Sequence, residues 1–178
     1  MNLSEDFIEQ LHDLLKQVQT ILPPSPPIID WQKTKAFRWR LVAKKAYLEP
    51  VYDLSTIRLI DLQGIDRQKQ EITRNTAQFV AGKPANNVLL TGARGTGKSS
   101  LIKALLNEFS GQGLRVIEVD RDLLVDLPDI VQLIAHRPER FIIYCDDLSF
   151  TADDASYRAL KTILDGSMHA GSDNILIY

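Results

Sequence analysis

Apolar residues follow two different rhythms along most of this chain. Short, mainly apolar runs, which we predict to be strands, occur at 88–91, 115–119, 141–145 and 174–178. Around these runs, apolar residues recur every three or four positions, as on helices, over about 66–80, 97–109, 127–135 and 151–165. This alternation predicts an α/β fold with a parallel sheet and right-handed crossovers. Asp66 is expected to cap the first of these helices, which ends at Gly82 and Pro84.

The first 27 residues have a pattern of their own. Apolar residues recur at helical spacing from Leu3 to Leu22, and the proline-rich run 23–27 ends this predicted helix. Its apolar stripe has the width that a surface helix needs. Two interpretations remain open: the helix docks onto its own domain, or it pairs with another subunit or a client.

Residues 28–62 form a basic and aromatic arm that leads into a core domain, residues 63–178. Between Trp31 and Leu48 there are six Lys or Arg residues and no acidic residue. Such a segment could contact nucleic acid through phosphates and stacked bases. We favour the other interpretation, in which the aromatic side chains pack the arm onto the core while the basic side chains stay in water.

Composition excludes several classes of protein. An apolar fraction of 44% and a charged fraction of 25% are ordinary for a soluble globular domain, and the net charge of −2 gives no general attraction to nucleic acid or anionic lipid. No apolar run approaches the length of a membrane span, and no signal-peptide pattern is present, so we expect a cytoplasmic protein without membrane association. The single cysteine, Cys145, excludes an internal disulfide.

One short motif carries most of the functional information. The pattern G-x-x-x-x-G-K-[ST] is matched by Gly92, Ala93, Arg94, Gly95, Thr96, Gly97, Lys98 and Ser99. It follows the apolar run 88–91 and precedes a predicted helix that continues through Ser100, so its main-chain amides are expected to cradle phosphates at a helix N-terminus. Lys98 is predicted to contact the β- and γ-phosphates, and Ser99 to bind Mg²⁺. The sequence therefore predicts a nucleotide site.

A second motif supports the first. The apolar run 141–145 ends in Asp146 and Asp147, about fifty residues after the glycine-rich motif. A buried strand that ends in aspartate is how enzymes with such a loop hold Mg²⁺. Asp146 is predicted to bind the metal through water, and Asp147 to orient the attacking water or accept its proton.

On these residues the chain resembles the AAA+ ATPases. The loop and the Asp146–Asp147 strand look like their Walker A and Walker B elements, and residues 62–66 look like the segment that enters the first helix and borders the adenine, which implies Gly64 and Ile65 as adenine contacts. From about residue 36 onward, the chain is similar to a bacterial AAA+-related family labelled as a domain of unknown function.

The resemblance implies a three-layer P-loop NTPase fold with the strand order five-one-four-three-two. It implies ATP and Mg²⁺ as ligands, hydrolysis that drives conformational change in a partner, and possible homo-oligomers in which a neighbour supplies an arginine finger. Two features depart from the family. Asp147 stands where AAA+ proteins usually carry Glu, and the chain ends after the fourth core strand, so that the fifth strand is missing and we expect the sequence to be part of a longer protein.

Three functions are compatible with these motifs. The leading one is an AAA+ ATPase. The second is a nucleotide-gated binding module with negligible hydrolysis, which the shorter Asp147 favours. The third, a nucleotide kinase or sulfotransferase, ranks lowest because Arg137, Arg140 and Arg158 form no recognisable lid pattern.

Overall fold

The computed structural model describes residues 7–8, 10–14, 26–146, 148, 155–164 and 173–178. Its centre is a five-stranded sheet in the order β2-β1-β3-β4-β5. The strands are β1 (Ala36–Val42), β2 (Lys45–Val51), β3 (Leu114–Glu118), β4 (Arg140–Tyr144) and β5 (Ile175–Ile177). The β1–β2 pair is antiparallel, and the other neighbouring pairs are parallel.

Helices cover both faces of this sheet. They are α1 (Asp66–Val80), α2 (Lys98–Phe109), α3 (Leu127–Ile134) and α4 (Ala155–Leu164), with short 3-10 segments at Leu59–Asp61, Ser110–Gln112 and Arg121–Asp126. Apolar residues of α1 and α2 form one buried cluster with Val116 and Ile142, whereas those of α3 and α4 form another with Ile117 and Ile143. Because side chains alternate along a strand, each buried strand contributes apolar side chains to both clusters. The predicted α/β class with a mostly parallel sheet is confirmed.

The predicted strand at 88–91 is wrong. These residues have no strand assignment, and Leu89 is 74% exposed. Val88 alone of the four is bonded to the sheet, through its N–H and the carbonyl of Ile177 at 2.9 Å. Its neighbour β5 is only three residues long, so the segment runs beside the sheet without forming a ladder.

The region interpreted as an arm is part of the sheet. Residues 36–51 form a β-hairpin, and β1 lies between β2 and β3, where Arg38 is in register with Glu118. Phe37 and Trp39 are buried in the α3–α4 cluster, and the Trp39 indole donates to Asp126 at 2.9 Å. The aromatic side chains therefore belong to the core, as the favoured interpretation required, but through a hairpin that the sequence did not predict.

The outer strand of this hairpin, β2, contains Pro50, which lies opposite Phe37 in the pairing register. The turn that joins the two strands is made by Ala43 and Lys44, and both have positive φ, at 48° and 64°. These are backbone angles of the left-handed region, which residues with a Cβ rarely adopt.

Helix α1 differs from its prediction at its N-terminus, and the predicted N-terminal helix is described only in part. Helix α1 begins at Asp66 as expected, but its N-cap is Ile65, so the predicted capping role of Asp66 is wrong. Asp66 instead pairs with Lys69 one turn later, at 3.1 Å. The predicted N-terminal helix lies largely outside the described residues. Of its span, residues 7–8 and 10–14 have helical backbone and are exposed.

Candidate functional site

The glycine-rich loop, residues 92–99, connects the segment beside β5 to the N-terminus of α2. Gly95 and Gly97 have φ values of 82° and 88°, in the left-handed region, and Gly97 is the N-cap residue of α2. These two turns need glycine because a Cβ is strained at such angles. They bring the loop backbone around to the start of the helix.

The first turn of α2 presents free main-chain donors. Its first helical hydrogen bond runs from the N–H of Leu101 to the carbonyl of Gly97, at 2.8 Å. The amides of Lys98, Ser99 and Ser100 therefore have no acceptor within the helix. The partial positive charge of the helix N-terminus adds to them, and this combination binds anions.

Lys98 lies over its own loop. Its ammonium donates to the carbonyls of Gly92 and Ala93 at 2.9 and 3.0 Å, and the Thr96 hydroxyl donates to the Ala93 carbonyl at 2.8 Å. These bonds satisfy carbonyls that point into the turn. They also hold the cation beside the amides of α2, so one small volume contains a positive charge and several N–H donors.

The loop meets the end of β4 through one short contact. The Ser99 hydroxyl donates to a carboxylate oxygen of Asp146 at 2.6 Å, although the two residues are 47 positions apart. Asp146 follows Tyr144, the last residue of β4, by two positions, and Ser99 is the second residue of α2. The hydroxyl and carboxylate oxygens are the hard ligands that Mg²⁺ prefers, and Mg²⁺ typically keeps several waters beside one or two protein ligands.

Tyr144 stands behind this pair. Its side chain is buried in the α1–α2 cluster, and its hydroxyl lies beside Ser99 and Asp146 without a well-aligned hydrogen bond to the described residues. Burial raises the pKa of this hydroxyl well above its ordinary value, so the group is a neutral donor at physiological pH.

Most of the predicted residues share one pocket. A cavity of about 360 Å³ is lined by Arg94, Gly95, Gly97, Lys98, Ser99, Ser100 and Asp146. Gly64 and Ile65 precede α1, and Ile65 packs on the apolar cluster that includes α2. Asp147 lies outside the described residues.

A larger pocket adjoins the same two oxygen donors. It measures about 460 Å³, and its lining includes Ser99 and Asp146 together with residues of β1 and of the 53–55 segment. Arg38 and Glu118, which form an ion pair at 2.8 Å, lie in its wall together with Tyr144. Sequence reasoning missed these three residues, because the register of β1 on β3 brings them together and no local motif marks them.

Cys145 faces the opposite side of the sheet, in the α3–α4 cluster. Burial raises the pKa of its thiol to about 12, and the charges of Asp120 and Asp146 act in the same direction. The thiol is therefore protonated at neutral pH, which fits its prediction as a core residue.

No helix in the described part of the chain has the length and apolarity to cross a membrane.

Comparison with known proteins places most of the chain in one family. The profile of a family described as "Protein of unknown function (DUF815)" matches residues 32–178. Searches of the curated proteins and of the solved structures found no match.

Proposed function

The chain belongs to the DUF815 family, and we propose that it binds ATP with Mg²⁺ on the glycine-rich loop and hydrolyses the terminal phosphate. The observation that carries this proposal is the 2.6 Å contact between the Ser99 hydroxyl and Asp146. Two motifs that are far apart in sequence meet there, at a helix N-terminus that follows a glycine-rich turn. A serine beside a strand-end aspartate is the arrangement that holds Mg²⁺ in enzymes with such loops.

Each part of the site has a role in this proposal. The amides of residues 95–100 bind the phosphate oxygens, and Lys98 leaves the carbonyls of Gly92 and Ala93 to contact the β- and γ-phosphates. Ser99 and Asp146 would hold Mg²⁺, which supplies charge neutralisation for the terminal phosphates. Asp147 would orient the attacking water, and Gly64 and Ile65 would border the adenine.

We also propose that the fold is of the AAA+ type. Segment 88–91 lies beside β5, and β5, β4 and β3 follow it across the sheet. This order is consistent with one-four-three-two of the AAA+ sheet. Segment 88–91 then corresponds to strand one, β5 to strand four, β4 to strand three and β3 to strand two. The β1–β2 hairpin then extends the sheet beyond strand two. In this scheme, hydrolysis changes the arrangement of a partner or of neighbouring subunits, and a neighbour supplies the arginine finger.

Titration of the purified chain with a fluorescent ATP analogue and MgCl₂ tests binding. Lys98→Ala removes a charged donor worth about 1.5–3 kcal/mol, so affinity should fall roughly 10- to 100-fold. Lys83→Ala is the matched control, because Lys83 is an exposed lysine outside the loop. Equal affinity of the parent and Lys98→Ala, or no binding by the parent, would refute the site.

A steady-state assay of phosphate release then distinguishes an ATPase from a nucleotide-gated binding module with negligible hydrolysis. Asp147 is shorter than the usual glutamate, which is the feature of the sequence that favours a gate. Asp147→Asn keeps the side-chain size, so binding should persist while release falls roughly 100-fold or more, the contribution of a general base. If the parent binds ATP but releases no phosphate above background, the gating module is the correct function.

A further inference from the structure

The Tyr144 hydroxyl lies beside two side chains of the proposed site, Ser99 and Asp146. Tyr144 is the last residue of β4, two positions before Asp146, and its side chain points to the α2 side of the sheet. Its hydroxyl oxygen is inaccessible to water and lies beside both Ser99 and Asp146. It is therefore a buried donor with two acceptors nearby and no well-aligned hydrogen bond to any of the described residues.

The hydrogen-bonding capacity of the Ser99–Asp146 pair leaves room for this donor. Ser99 has one hydroxyl proton, which it donates to Asp146, while its oxygen keeps lone pairs. A carboxylate such as that of Asp146 can accept several hydrogen bonds at once. A bond from Tyr144 to either oxygen would restrict the rotation of both side chains. Groups behind metal ligands have this effect, because they fix the direction in which the ligand atoms point.

We infer that Tyr144 is a positioning residue, whose hydroxyl orients Ser99 and Asp146 toward the divalent cation that accompanies the nucleotide. The inference rests on the proposed function. It assigns Tyr144 to the metal and not to the phosphates, because the loop amides and Lys98 contact the phosphates without Tyr144. Removing the hydroxyl should therefore change the dependence of nucleotide binding on Mg²⁺ and leave metal-free binding as it is.

Tyr178 provides a matched control within the same cluster. It is also a buried tyrosine, but its hydroxyl is hydrogen-bonded to Asn75 and Thr76 of α1, both at 2.9 Å. Tyr144→Phe and Tyr178→Phe each remove one hydroxyl from one buried ring. Tyr144→Met fills the same apolar site without a ring or a hydroxyl, so it separates loss of the donor from altered aromatic packing.

The experiment titrates a fluorescent ATP analogue into each variant, first in EDTA and then over a series of MgCl₂ concentrations. For Tyr144→Phe and Tyr144→Met, the Mg²⁺ concentration at half-saturation should rise roughly tenfold or more, as for other residues behind metal ligands. Metal-free affinity should stay within twofold of the parent. Tyr178→Phe should leave both quantities unchanged.

Two results would overturn the inference while the proposed function stands. One is a Mg²⁺ concentration at half-saturation that is the same in Tyr144→Phe as in the parent. The other is an equal loss of affinity with and without metal, since Tyr144 would then support the loop. Absence of nucleotide binding by the parent would instead remove the proposed function, and the inference with it.

Discussion

Three neighbouring residues at the end of β4 have three different environments. Tyr144 faces the α1–α2 cluster, Cys145 faces the α3–α4 cluster, and Asp146 lies beyond the strand against Ser99. The alternation of side chains along a strand separates the first two. A buried donor, an inert thiol and the carboxylate that we propose as a metal ligand can thus follow one another without sharing a chemical role.

The thiol of Cys145 should react slowly in the folded protein. Its pKa is raised to about 12, whereas an unfolded cysteine has a pKa of about 8.5, so at pH 8 the folded chain holds far less thiolate. Alkylation by iodoacetamide, followed by intact-mass spectrometry, should be roughly 1,000-fold slower without urea than with it. The folded rate should rise tenfold per pH unit up to the raised pKa. Labelling at similar rates in both conditions would show that the thiol is not buried.

At this scale the sequence assigned Ser99 and Asp146 to one predicted metal site, and the structure brings these two residues together, while their role stays a prediction. Lys98, Ser99 and Asp146 could be assigned because the two motifs fix the residue types and the chain positions. Tyr144 and the Arg38–Glu118 pair could not, because their proximity depends on which residues of β1, β3 and β4 stand in register.

Elements were predictable where their apolar pattern was strong. Helices α2 and α3 begin and end within one or two residues of the sequence prediction, since glycines and the proline near their ends limit them. The hairpin was missed because its turn, Ala43–Lys44, lacks the Asn-Gly or Gly pair that usually marks one. The run 88–91 was overpredicted, because an apolar run indicates burial but does not show whether a pairing strand is present.

The unusual turn implies that the hairpin can be stabilised. Ala43→Asn combined with Lys44→Gly relieves two left-handed residues, so the free energy of unfolding in urea should rise by about 1–2 kcal/mol. Gly113→Ala is the opposite control. Gly113 has a φ of 93°, and a Cβ added there would meet open space. The expected decrease of about 1 kcal/mol in the free energy of unfolding of Gly113→Ala therefore reports backbone strain alone. An unchanged midpoint for the Asn-Gly variant would contradict the turn geometry.

The whole molecule is organised around a sheet whose two faces belong to two apolar clusters. The hairpin is part of this arrangement, since Trp31 packs against Phe37 and Phe141 with ring centroids 5.0 and 6.0 Å apart. Arg137 lies over the Trp31 ring at 3.9 Å. Strand and helix alternation was sufficient to predict the class, but the position of the hairpin in the sheet requires long-range pairing that no local pattern contains.

Cooperative unfolding follows from this integration. Both tryptophans of the chain, Trp31 and Trp39, lie in the hairpin region, so fluorescence reports that region, while far-UV circular dichroism reports mainly the helices. The two signals should give the same melting temperature. Phe37→Ala should lower both melting temperatures together, because it reduces the free energy of unfolding by about 3–5 kcal/mol. Leu41→Ala changes an exposed residue and should have little effect. An earlier fluorescence transition would show that the hairpin unfolds separately.

Pro50 has a consequence for how copies of this protein meet. Proline has no N–H, and an edge strand accommodates it where the nitrogen faces away from its neighbour. The outer border of β2 therefore lacks one donor at Pro50, the residue before the last of the strand, and the charged Glu49 directly precedes it. An incoming chain could not extend the sheet continuously there, which discourages amyloid-like stacking along this side. Two copies that met along β2 would therefore be joined there by side-chain contacts and not by a continuous backbone ladder.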